Sequence, residues 1–318
     1  MSESSDTKQK SDVFEQQLVN QIAREFLLEQ RRNRRWGIFF KILLTLYLFS
    51  FLLIYLGQGV DSVSLGSGKH TSLIDIDGVI ASDTAASADN IVTSLRAAYK
   101  DKNTAGIILR INSPGGSPVQ AGYINDELYR LKEKYPEIPV YAVIGDICAS
   151  GGYYIASAAD KIYADKASIV GSIGVIMSSF GFVDAIDRLG VERRLFHAGE
   201  SKGFMDPFSP LKEQDVKHIN GMLDNIYQQF IDVVKRGRGE RLVQDEKIFS
   251  GLVWSGEKAL ELGLVDELGS ASYVAREVIG SEDIVNYTYH QNLLDRFSKR
   301  LGTELANQLR YNSLFKYN

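Results

Sequence analysis

The 318 residues are 44% hydrophobic and carry a formal charge of −4, which supplies enough apolar content for one main folded core and argues against disorder and against a nucleic-acid partner. A single cysteine, Cys148, excludes an intrachain disulfide and fits a cytosolic domain or a bacterial extracytoplasmic one that folds by its core alone.

In chain order, Phe14, Leu18, Ile22 and Phe26 recur every fourth residue among charged ones, which predicts an amphipathic helix in a tail spanning residues 1–35. Solvation, an inner membrane surface and a partner helix all remain open for it. The basic cluster RRNRR, Arg31–Arg35, directly precedes an apolar run at 36–56, WGIFFKILLTLYLFSFLLIYL. That run has the length needed to cross a bilayer core, with Lys41 near one end, where it can snorkel beside Trp36. No small-residue cleavage site follows promptly, so a transmembrane signal anchor is expected rather than a cleaved signal peptide or a buried core helix. By the positive-inside tendency the N-terminus stays cytoplasmic and the rest is exported, as in a single-pass protein of a bacterial inner membrane. Residues 57–71, rich in Gly and Ser, read as a flexible linker.

From residue 72 to 290 apolar strands alternate with amphipathic helices. SLIDIDGVI, AGIILRIN, PVYAVIG and ERRLFHA read as strands; ADNIVTSLRAAYKD, PVQAGYINDELYRLKEKY and a segment from about Lys212 to Lys235 read as helices. Such alternation predicts an α/β domain with a largely parallel sheet and functional loops at strand C-termini. A last stripe, Leu294, Phe297, Leu301 and Leu305, predicts a C-terminal helical extension over 291–318.

Three loops can carry chemistry. In DICASGGYYIAS, residues 146–157, Ser150 follows a buried strand and precedes Gly151, Gly152 and a helix-forming segment. A nucleophile is often presented there, but an ordinary helix N-cap fits the same residues. Cys148, two residues earlier, reads as a buried structural thiol. In INSPGGSP, residues 111–118, Pro114, Gly115 and Gly116 close a strand with backbone N–H groups in a fixed turn, suited to an oxyanion or to a plain β-to-α connection. The Lys-Ser/Thr pair of a phosphate loop is missing. In HAGESKGFMDPFSPL, residues 197–211, Lys202 sits among small residues and is either a solvated surface charge or a base.

A serine nucleophile needs that base. Of His70, His197, His218 and His290, His197 alone lies near a motif loop and is the rival to Lys202. A lysine must be neutral to act, and bringing it from about 10.4 to near 7 takes roughly 4 to 5 kcal/mol of differential destabilisation of its charged form. Asp75, Asp77 and Asp146 lack the His or Cys company of a transition-metal site and read as turn residues; neither metal nor cofactor is expected.

Four stretches in order, INSPGGSP, GDICASGGYYIASAADKIYADKASIVGSIGVI, GESKGFMDPFSPL and GLVWSGEKALELGLVDELGS, resemble the signatures of the signal peptide peptidase A family, membrane-bound serine proteases of peptidase family S49, over about residues 73–280. The resemblance implies a Clp-protease/crotonase-like α/β fold of repeated ββα units. It implies Ser150 as nucleophile, Lys202 as general base, Ser172 as the hydroxyl that orients the lysine, and Gly115, Gly116 and Gly151 as the oxyanion hole. It also implies the short, single-domain form, a homo-oligomer (an octamer) in which the lysine of one protomer completes its neighbour's site, and peptide substrates, chiefly remnant signal peptides. An enzyme that cuts an intact membrane protein, a crotonase-type acyl-CoA enzyme and a non-catalytic scaffold are the competing readings.

Overall fold

The computed structural model describes residues 30–32, 34–52 and 68–289. The expected tail helix through Phe14 and Phe26, linker residues 57–67 and the closing stripe from Leu294 lie outside the described residues. Two compact units divide the chain, one up to Leu65 and one from Gly66.

The first unit contains helix α1, Gln30–Leu52, of 23 residues, with a most apolar stretch of mean hydropathy 1.5 and no part of that stretch buried. At 1.5 Å per residue it is about 35 Å long, enough to cross a bilayer. Its described part includes Gln30 and arginines ahead of the expected Trp36, which are good helix formers with no stop signal before the apolar run. Trp36 packs against Phe39 and Phe40 at its N-terminal end, with ring centroids 5.7 and 5.8 Å apart.

The second unit runs β1 (His70–Asp77), α2 (Ala88–Lys100), β2 (Thr104–Ser113), α3 (Pro118–Lys134), β3 (Val140–Ala149), α4 (Gly151–Ala156), β4 (Lys161–Ala164), β5 (Ile169–Gly171), α5 (Val183–Arg188), α6 (Glu213–Arg238), β6 (Val253–Ser255), α7 (Gly256–Glu261), β7 (Glu267–Leu268), α8 (Ala271–Tyr273, continuing as a π-helix over Val274–Ile279) and β8 (Ile284–Asn286). Its sheet has the order β6-β5-β3-β2-β1-β8, with β4 and β7 joined to the side of β3. All pairs are parallel except β5 with β6.

Both faces of the central strands are covered, which is why β2 reads as a nearly continuous apolar run. Ile107, Leu109 and Ile111 face α2, α3 and α4, whereas Ile108 joins Leu73, Val143 and Tyr163 beneath Val274 and Ala275 of the π-helical segment. Helix α3 is capped by Ser117, whose Oγ accepts from the Gln120 N–H, and starts with Pro118. It is tied to α2 by Glu127, which accepts from Arg96 Nε at 2.7 Å and from Arg130 on its own helix. At the end of α6 the fully buried Arg238 side chain grips Asp266 with two bonds of 2.7 and 2.9 Å.

Three expectations are corrected. ERRLFHA, residues 192–198, is not a strand: it has no neighbouring strand to pair with among the described residues, and Phe196 is 91% exposed. A strand exists only through its ladder, so an apolar segment without a partner stays irregular. The second correction concerns β3, which does not end at Gly145. It runs on to Ala149 with an irregularity after the Ile111–Ile144 pair, and it leaves β4 to pair with β5 at Ile147. Finally, His70 belongs to β1 rather than to a linker: it is buried, with Nε2 3.1 Å from the Tyr287 hydroxyl.

Candidate active site

The loops of interest meet where β2 and β3 end. Ser150 joins β3 to α4 with φ 51° and ψ −122°, a conformation that costs a non-glycine residue about 1 to 3 kcal/mol. Backbone bonds on both sides hold it there: its N–H donates to the Gly171 carbonyl at 2.9 Å, and its carbonyl accepts from the Tyr154 N–H at 2.9 Å. A capping serine sits in extended backbone and accepts an amide with its hydroxyl. Ser150 does neither, for its side chain makes no cap bond. Ser150 thus holds the N-cap position of α4 through its backbone alone, and its hydroxyl has no partner among the described residues.

Beside it lies the turn of the Ser113–Ser117 stretch. The Gly78–Ile80 loop zips onto this turn from both sides of Gly116, with Ile80 N–H to Gly115 carbonyl at 2.9 Å and Ser117 N–H to Ile80 carbonyl at 2.8 Å. Gly115 and Gly116 have φ of 100° and 152°. A β-carbon on Gly115 would fall 2.7 Å from both Ser150 Cβ and Gly151 N, and one on Gly116 would fall 2.1 Å from the Ile80 carbonyl oxygen. Only glycine fits either position.

The three expected oxyanion donors do not fare alike. The N–H of Gly115 donates to Ser113 Oγ at 3.1 Å and is already used. Those of Gly116 and Gly151 have no acceptor among the described residues, and a β-carbon on Gly151 would lie 3.3 Å from Gly116 N. Two unused donors thus lie close together beside the strained serine, and paired backbone donors are the kind of group that stabilises a developing oxyanion. The Gly115 amide is spent within the turn, and the residue's lack of a side chain lets Ser150 and Gly151 approach.

Ser172 follows the Gly171 that holds Ser150. It too has positive φ, 53°, and its N–H donates to the Leu252 carbonyl at 2.7 Å. Residues 252–254 therefore brace this turn, with Trp254 packed against Gly171. Leu252 and Trp254 lie in the fourth signature stretch, but their part in this turn has no chemical signal of its own, because what they contribute is a carbonyl and a ring placed by strand pairing.

No hydrogen bond joins Lys202 to Ser150 or Ser172 among the described residues. The lysine lies exposed on the arm between β5 and α6, its N–H closing a turn on the Gly199 carbonyl at 3.1 Å. His197 shares this arm; its Nδ1 is 2.9 Å from the Gly199 carbonyl oxygen. Cys148 is fully buried, and burial pushes its thiol well above the usual range, away from the reactive thiolate.

Known proteins carry the same segments. The profile of "Peptidase family S49" matches residues 132–283. A putative signal peptide peptidase of Enterococcus faecium is 33% identical over 212 residues, 64% of this chain and 61% of that one. A putative protease of Synechocystis is 33% identical over 202 residues, 64% of this chain and 70% of that one. A Na(+)/H(+) antiporter of Brucella abortus contains a stretch 42% identical over 188 residues, which is 59% of this chain but 25% of the antiporter. The matched part of the chain thus spans between a quarter and seven tenths of the length of these relatives. With signature loops, sheet and matches in agreement, the chain belongs to peptidase family S49.

Proposed function

We propose that this chain is a membrane-anchored serine endopeptidase that uses Ser150 as nucleophile and Lys202 as general base. The observation that carries the reading is Ser150 itself, held at positive φ with a free hydroxyl beside the unused N–H groups of Gly116 and Gly151. Ser150 Oγ attacks the peptide carbonyl while its proton passes to Lys202. The negative oxygen is received by the two amides, the proton goes on to the leaving amine, and water then hydrolyses the acyl-enzyme. Ser172, at the turn that supports Ser150, orients the lysine. The chemistry calls for neither metal nor nucleotide.

The exposed seat of Lys202 favours a site shared between protomers of a closed homo-oligomer, an octamer by the resemblance to the short members. Along the same arm Ile176, Phe180 and Phe196 are 80 to 91% exposed, more apolar surface than a soluble monomer ordinarily leaves uncovered. A neighbouring copy covers it and receives the lysine. The anchor and the basic cluster before it keep the N-terminus cytoplasmic and the catalytic domain on the outer side of the inner membrane. Remnant signal peptides, apolar and bound as extended strands, are the substrates that suit this location.

The test follows hydrolysis of a fluorogenic apolar peptide by the full chain in detergent. Ser150→Ala and Lys202→Ala are expected to be dead, with His197→Ala at the wild-type rate. Activity in Ser150→Ala would overturn the nucleophile, and activity in Lys202→Ala the dyad. The Brucella antiporter match favours a second reading, the same chemistry applied to an intact membrane protein. Slow turnover of free signal peptides beside rapid cleavage of a co-reconstituted membrane protein would select it.

A further inference from the structure

We propose that Ser113 is a positioning residue for the reaction: its hydroxyl determines which amide of the Gly115–Gly116 turn faces the substrate carbonyl. This rests on the reading of Ser150 as nucleophile.

Ser113 is completely buried at the end of β2. Its Oγ donates to the Gly78 carbonyl at 2.6 Å and accepts from the Gly115 N–H at 3.1 Å. A hydroxyl has one proton to give, so the short bond to Gly78 consumes it and turns a lone pair toward Gly115. The Gly115 amide is thereby withdrawn, and the positive φ of Gly115 carries the next amide, that of Gly116, to the side where Gly151 lies. Without the hydroxyl, the Gly115 N–H loses its buried acceptor and the Gly78 carbonyl its donor, and the turn can relax toward whichever amide finds a new partner.

The same residue also sets the second donor. A β-carbon on Gly152 would lie 3.1 Å from the Ser113 carbonyl oxygen and 3.4 Å from its Cβ. The start of α4, which supplies the Gly151 amide, therefore rests on Ser113. The first donor thus takes its position from the Ser113 hydroxyl and the second from the carbonyl and β-carbon of the same residue. An oxyanion hole works by preorganisation, so a small loss of register falls on the transition state and spares the ground state.

The experiment compares Ser113→Ala and Ser113→Thr in the full-length protein, with rates expressed per active site titrated by an irreversible serine reagent. Ser113→Ala is expected to lower kcat by roughly 10- to 100-fold with KM within about twofold. Affinity for a peptide aldehyde, whose adduct with Ser150 carries the oxyanion, falls by the same factor as kcat/KM. Binding of uncleaved peptide, measured in a Ser150→Ala background, stays put. Ser113→Thr, which keeps donor and acceptor, recovers most of kcat. A lower melting temperature with unchanged kcat per titrated site and unchanged aldehyde affinity would make Ser113 a packing residue and overturn the proposal. Should Ser113→Ala fail to fold, Ser113→Cys, a far weaker donor of similar size, replaces it: a fall in both kcat and aldehyde affinity supports the proposal, and no change in either overturns it. Activity surviving in Ser150→Ala would overturn the parent reading, an outcome that no Ser113 variant produces.

Discussion

The N–H of Ser150 donates to the carbonyl of Gly171 at 2.9 Å, so the turn that ends β5 sets the position of the turn that ends β3. Gly171 has φ 113°, and a β-carbon there would lie 3.1 Å from both the Leu252 carbonyl oxygen and Trp254 Cδ1. Gly171→Ala is therefore expected to destabilise the fold by about 1 to 3 kcal/mol and to lower kcat/KM at least tenfold by moving Ser150. Denaturant midpoints and peptide hydrolysis on one preparation check both. Trp254 adds a control, since its buried indole N–H has no acceptor among the described residues. Trp254→Phe removes that orphan and keeps most of the ring, so its stability should change by less than about 1 kcal/mol; a larger loss would mean that the N–H is in use.

Cys148 lies two residues from Ser150, near enough in sequence to be mistaken for the nucleophile. It is fully buried, and burial raises its thiol pKa. At pH 8 the folded protein should not react with a thiol reagent, and one equivalent should react on unfolding. Cys148→Ala is expected to cost about 1 kcal/mol of packing and to leave turnover within about twofold, whereas a dead Cys148→Ala of normal stability would reassign the nucleophile.

How much of this was legible beforehand depended on whether the signal was local. Buried strands such as Ile107–Ile111, the capped helix at Ser117–Pro118 and the glycines beside Ser150 follow from short-range patterns, whereas the Clp-protease and crotonase type of α/β fold comes only from the resemblance of four stretches to a known family. Two things needed the third dimension. The withdrawal of the Gly115 amide depends on a hydroxyl two residues away that is held by a loop from the end of β1. The failure of ERRLFHA to form a strand depends on the absence of a neighbouring edge among the described residues, which no property of those seven residues reveals. Composition says that a segment suits a sheet, and only pairing decides whether it joins one.

Glu127 gives the domain a pH dependence whose sign can be worked out. The hydrogen bonds from Arg130, then those from Arg96, outweigh partial burial and hold its carboxyl well below the ordinary 4.5, at about 2. A carboxylate with a depressed folded pKa stabilises the native state above its unfolded pKa, and that contribution fades as pH falls through the folded value. The difference in stability between wild type and Glu127→Gln should be about 1 to 2 kcal/mol at pH 7, more than a lone exposed pair gives, and should shrink from about pH 4.5 to nothing near pH 2. Thermal melts across that window measure it. A constant difference would show that the glutamine disturbs packing between α2 and α3 rather than removing a charge.

Lys202 and Ser150 lie on separate parts of one protomer, the lysine on an exposed arm and the serine at the end of β3. If neighbouring copies complete each other, Ser150→Ala keeps a usable lysine and Lys202→Ala keeps a usable serine. Dissociated, mixed in equal amounts and reassembled, the two dead variants should recover about a quarter of the wild-type sites, the share of random neighbour pairs with serine and lysine correctly placed. Within a single protomer no mixture can regain activity. Phe196, 91% exposed on the same arm, supplies the complementary test. Phe196→Asp puts a charge where, on the shared-site proposal, a neighbouring copy docks, and it is then expected to yield folded monomers that sediment as such and hydrolyse nothing. Mixtures that stay inactive although both variants assemble normally would place the lysine of each protomer in its own site, and the arm would then have to fold back onto β3 in the active form.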